Sequence, residues 1–68
     1  MGKTRYQRAK EFLEELRKNH GSIINFEVFR NQAMLCLGAD EERTVRPYFK
    51  LMSEANLIME KGEQVVIL

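Results

Sequence analysis

Between residues 40 and 68 the rhythm of the apolar residues changes once, and that change limits what the chain can fold into. Val45, Phe49 and Met52 are spaced four and three apart, so they share one face of a helix. Leu51 and Ala55 widen that stripe. Then two β-prone runs flank a single glycine: Leu57-Ile58-Met59-Glu60, Lys61-Gly62, and Glu63-Gln64-Val65-Val66-Ile67-Leu68. This order predicts a helix running directly into a β-hairpin that turns at Lys61-Gly62. The last four residues, 65–68, are all apolar. They predict a strand partly buried on both faces, or an edge covered by a partner.

Asp40 can cap the helix, and Glu41 and Glu42 suit the positive end of its dipole. Pro47 conflicts with a straight helix from that cap. Its ring would crowd the Arg43 carbonyl and remove a hydrogen bond to it. The helix therefore either bends there or starts later, near Thr44. Arg43, Thr44, Arg46, Pro47, Lys50, Ser53 and Glu54 fall on the side away from the apolar stripe.

Upstream, Thr4 followed three residues later by Gln7 fits a capping box. The helix it opens is expected to reach about residue 19. Tyr6, Ala9, Leu13 and Leu16, with Phe12 beside them, form its core stripe. Lys18 and His20 suit its negative end, and Gly21 terminates it. Ser22-Ile23-Ile24 has the length to add a third strand beside the hairpin. Asn25 caps a second helix over residues 26–36, with Phe29, Ala33 and Cys36 or Leu37 on one stripe. Phe26, Val28, Met34 and Leu35 add apolar surface outside that stripe, so this helix is expected to be covered on more than one side.

The chain has 68 residues, which predicts one domain over residues 1–68. A chain this short buries only about 60% of its unfolded surface, so its core is small. No apolar run approaches the ~20 residues that span a bilayer, and no leader pattern opens the chain. A single cysteine, Cys36, excludes an intrachain disulfide and fits the reducing cytoplasm; it is expected to be a small buried hydrophobe. With His20 the only histidine, no structural zinc set can be assembled, and no cofactor is expected. One histidine, one cysteine and no glycine-rich phosphate loop leave no basis for an enzyme. Net charge is only +1, but residues 1–10 hold Lys3, Arg5, Arg8 and Lys10 without an acid.

The order helix, short strand, helix, tight turn, helix, hairpin resembles a winged helix-turn-helix domain, an α+β fold. The resemblance covers about residues 4–68. It is carried by Leu37-Gly38 at the turn, by Arg43-Thr44-Val45-Arg46 opening the third helix, and by Met52 five residues before Leu57-Ile58. The phrase RTVRPYFKLMSEANLI is similar to the recognition-helix-and-wing segment of small bacterial and archaeal regulators, including DNA-binding proteins of archaeal viruses and plasmids. Two departures stand out: Pro47 within the recognition helix, and a short wing with Lys61 its only base.

The resemblance implies sequence-specific binding of double-stranded DNA by a transcriptional regulator. The third helix would enter the major groove and the wing would meet phosphate. Arg43, Thr44, Arg46 and Lys50 would then face DNA, with Tyr48 and Lys61 on phosphates. Arg5 and Arg8, or Asn31 and Gln32, would add backbone contacts. Arg43 and Arg46 could instead pair with Glu42 or Glu54 as solvated surface charges. Met34-Leu35-Cys36-Leu37 and the C-terminal Val65-Val66-Ile67-Leu68 exceed what so small a core needs and point to a homodimer. Alternatively, the near-neutral charge and the surplus Met34, Leu35, Val66 and Leu68 suit a protein-interaction module of a larger assembly that does not bind DNA. Neither a membrane nor a small-molecule ligand is expected.

Overall fold

The computed structural model describes residues 2–68. Its elements follow the expected order: α1 (Arg5–His20), β1 (Ile23–Asn25), α2 (Phe26–Cys36), a π-helical turn (Glu41–Val45), α3 (Arg46–Glu54), β2 (Ile58–Lys61) and β3 (Gln64–Ile67). The three helices and a three-stranded antiparallel sheet, ordered β1-β3-β2, form the α+β layout of a winged helix-turn-helix.

The first helix starts where Thr4 and Gln7 satisfy each other's backbone. The Gln7 amide donates to Thr4 Oγ1 at 3.1 Å, and the Thr4 amide donates to Gln7 Oε1 at 3.1 Å. Thr4→Ala should lower stability by about 1 kcal/mol, read as a shift in the urea midpoint. The helix ends at Gly21, whose φ of 86° is easy only for glycine. Ala9, Phe12, Leu13 and Leu16 face the core, whereas Tyr6 is 44% exposed with Lys10 across its ring. Tyr6 thus lies one turn beyond the reach of the core.

Ile24 is the inward residue of β1, and Asn25 ends the strand while capping α2 through Oδ1 to the Glu27 amide at 2.8 Å. Phe29, Ala33 and Leu37 are the buried stripe of α2. Cys36, expected inside, is exposed, and Leu35 is 79% exposed. At helical spacing only one of Cys36 and Leu37 can point inward, and Leu37 does. Outside that stripe Met34 packs against the core and Phe26 meets the Phe49 ring, whereas Leu35 is left in solvent, so cover extends past the stripe without enclosing the helix.

The conflict between Asp40 and Pro47 is resolved by widening the helix. Asp40 caps the segment, its Oδ1 accepting from the Arg43 amide at 3.0 Å. The Val45 amide then reaches back five residues to the Asp40 carbonyl at 3.2 Å, and the Arg46 amide reaches the Glu41 carbonyl. One wide turn slips the hydrogen-bond register by a residue immediately before the proline. Pro47 then sits in the first turn of α3, where a missing N–H costs little. Regular α-helix thus begins at Arg46, later than Asp40, although the chain is helical before it.

Past the turn, Val45, Tyr48 and Met52 form the buried stripe. Tyr48 takes the core position expected for Phe49, which is half-buried against α2. The α3 helix stops in a paired-carbonyl cap. Asn56 adopts φ of 59°, its amide bonds the Ser53 carbonyl, and the Leu57 amide bonds the Met52 carbonyl at 2.9 Å. This cap aims the chain into β2.

In the hairpin Lys61 pairs with Gln64, so the turn residues are Gly62 and Glu63, one position later than the sequence suggests. Gly62 has φ of 65° and Glu63 does not share it, the pattern of a type II′ turn. Such a turn requires glycine as its first central residue, which moves Lys61 back into the strand. Ile24, Ile58, Val65 and Ile67 face the helices from the sheet.

Candidate nucleic-acid interface

The exposed side of the third helix carries Arg43, Arg46 and Lys50, whose side chains are 89%, 70% and 77% exposed. Spacings of three and four residues put them on successive turns of one outward side. Each lies near a carboxylate. Arg43 Nε is 3.9 Å from Asp40 Oδ2, Arg46 Nη1 is 3.6 Å from Glu42 Oε1, and Lys50 Nζ is 3.9 Å from Glu54 Oε1. These separations are too long for hydrogen bonds. Exposed pairs of this kind contribute ~0.2–1 kcal/mol, so a phosphate can displace them. The acids nevertheless remain nearby and lower the local positive potential.

A groove of about 300 Å³ runs between α2 and the third helix. Phe26, Phe29 and Phe49 line it, with Arg30, Arg46, Lys50 and Glu41 at its polar positions. The rings meet edge to face: Phe26–Phe49 centroids are 5.6 Å apart and Phe29–Phe49 centroids 5.8 Å. Arg30 extends the basic side of the helix onto α2. Its Nη1 is 3.6 Å from Glu41 Oε1, while its Nε is buried without a partner. Arg30 is not among the contacts expected from the sequence. The available signal was its place four residues after Phe26 and three before Ala33, at the margin of the core stripe.

The remaining expected contacts fall elsewhere. Tyr48 is 4% exposed and belongs to the core, so it does not present a phosphate-binding face. Helix α1 packs on that side of α3, and the Arg8 guanidinium lies 5.9 Å from the Tyr48 ring centroid. Thr44 is half-buried and turned toward the Gly38 turn: a Cβ built on Gly38 would meet Thr44 Cγ2 at 2.8 Å. Its side chain is therefore occupied in closing the turn and is not offered to a base edge. Arg8 lines a different groove, with Lys3, Cys36 and Leu37, and Arg5 is exposed at the start of α1. Lys61 is exposed at the end of β2, between Glu60 and the turn residues Gly62 and Glu63. The tip of the wing thus carries a carboxylate where a lysine was expected. Asn31 is exposed and Gln32 half-buried on α2.

No family model matches the chain, and the searches of curated proteins and of solved structures returned no match. The described residues also contain no helix long and apolar enough to cross a membrane.

Proposed function

We propose that this chain binds duplex DNA through the outward side of its third helix, as a small regulator of transcription. The observation that carries the reading is the run of Arg43, Arg46 and Lys50 on successive exposed turns, extended by Arg30. A cylinder of this width fits the major groove, where arginine pairs with guanine and lysine meets phosphate. Arg5 and Arg8 are candidate phosphate contacts from α1, separate from this row. Carboxylates interleaved with the cations repel a phosphate backbone wherever the fit is poor. That favours selective over indiscriminate binding. The single unpaired cysteine is compatible with the reducing cytoplasm.

Fluorescence anisotropy on a mixed duplex pool tests this across a salt series. Binding should weaken steeply as salt rises, because released counterions dominate affinity. On this mixed pool, where all three cations meet phosphates and not a preferred base, the triple variant Arg43→Ala, Arg46→Ala, Lys50→Ala should reduce the log–log salt slope by about 3, near 0.9 for each phosphate that is no longer neutralised. Absence of binding at low salt, or a slope unchanged in the triple variant, would refute the reading. A second reading, a protein-interaction module, is favoured by Leu35 at 79% exposure beside the exposed Cys36. It expects no duplex affinity at any salt.

A further inference from the structure

The β2 edge of the sheet presents backbone groups that β3 does not use. In antiparallel strands, residues alternate between exchanging backbone hydrogen bonds with their partner and turning those groups away. The closing pair of the hairpin is Lys61 with Gln64, so Lys61, Met59 and Leu57 bond toward β3. The Leu68 amide donating to the Leu57 carbonyl at 2.9 Å agrees with that parity. The backbone groups of Ile58 and Glu60 therefore point outward from β2. Among the described residues neither makes a backbone hydrogen bond to another segment. The outer face of the sheet adds a second feature. Ile23, Val66 and Met59 are direct cross-strand neighbours in one row, with Ile23 60% and Met59 46% exposed.

We propose that β2 pairs with β2 of a second copy of this chain, antiparallel, with Met59 at the two-fold axis. Ile58 of one copy then exchanges backbone hydrogen bonds with Glu60 of the other, and the reverse, so the outward groups of both are satisfied. Met59 faces its own counterpart, and the Ile23–Val66–Met59 row continues across the junction into the same row reversed. The alternatives in register are worse. Centring on Glu60 sets two carboxylates directly opposite, which is destabilising. Centring on Ile58 sets Glu60 opposite Asn56, whose φ of 59° cannot continue a strand. In the Met59 register Lys61 faces Leu57 and Glu60 faces Ile58, so no like charges are apposed. The strand is short, and the junction is small beside the ~1,200 Å² of a stable interface. Association is expected to be weak, with a dissociation constant on the order of 100 µM.

The test is a single-site crosslink in a Cys36→Ser background. Facing residues in a pair that exchanges no hydrogen bonds lie about 4.5 Å apart between Cα atoms, within disulfide range. Met59→Cys should form a covalent dimer under mild oxidation. Lys61→Cys, displaced from its own counterpart along the strand, should not. Glu60→Pro removes an outward N–H that β3 does not use, so the hairpin should persist by circular dichroism. The expected result is a sedimentation dimer for the unmodified chain at roughly several hundred micromolar and a monomer for Glu60→Pro. A monomer at that concentration, with no Met59→Cys crosslink, would overturn the proposal and leave Glu60 and Lys61 as charges guarding the edge. Equal crosslinking at both cysteine positions, or a dimer that survives Glu60→Pro, would overturn it in favour of another surface such as Leu35. None of these readouts involves DNA, so they stand or fall apart from the proposed function.

Discussion

Phe29→Ala should cost about 3–5 kcal/mol, roughly half of the stability that a domain of this size has to lose. Phe29 is 1% exposed and sits where α1, α2 and α3 converge. Its ring meets Phe12 at 5.6 Å and Phe49 at 5.8 Å between centroids, both edge to face. Removing it deletes apolar burial and opens a cavity that three helices cannot all close around. A domain of 68 residues has only ~3–10 kcal/mol to lose, at the usual ~0.05–0.15 kcal/mol per residue. Urea titration followed by circular dichroism gives the value. Leu35→Ala is the control, since a side chain 79% exposed should change stability by less than about 0.5 kcal/mol. A Phe29→Ala protein that matched this control would mean the three-helix junction is not the core.

Gly38→Ala should cost about 2–3 kcal/mol for two separable reasons. The φ of 153° at Gly38 is one that L side chains rarely adopt. The new methyl would also approach Thr44 Cγ2 at 2.8 Å and Thr44 Cβ at 3.3 Å. Threonine is stiff about its first side-chain torsion, so it cannot simply swing away. The two contributions separate in a double-mutant cycle. Thr44→Ala should return the steric part and leave the backbone part. Full additivity would show that the approach between Gly38 and Thr44 costs nothing. Because this contact ties the turn to the start of the third helix, the proposed function implies that Gly38→Ala should also weaken duplex binding without removing a cation.

Much of the architecture was legible in local chemistry. The Thr4–Gln7 box, the Asn25 cap and the Asp40 cap each satisfy orphan amides by contacts within three residues, so they need no knowledge of the fold. The third strand at Ile23 was legible because a short apolar segment before a cap has little else to do. Finer points were not. Whether Tyr48 or Phe49 faces inward is undecided by spacing alone, since both stand at helical intervals from Val45 and Met52. Helix α1 takes Tyr48 and α2 takes Phe49, a choice made by two neighbours distant in sequence. Asn56 was a stop signal that a left-handed cap could have revealed.

The candidate site divides in the same way. That Arg43, Arg46 and Lys50 face outward follows from their exclusion from an apolar stripe. That Thr44 is turned toward Gly38, that Arg8 lies apart from Arg46 and Lys50, and that Lys61 leaves the wing tip all depend on packing and turn geometry. Local hydrogen bonding and periodicity alone set where this chain is helical and where it is extended, and narrowed the side of each helix that avoids water to within a residue or so. Only the assembled structure chose which cations share a face and which strand edge is left open, because those are relations between segments that meet only when the core closes.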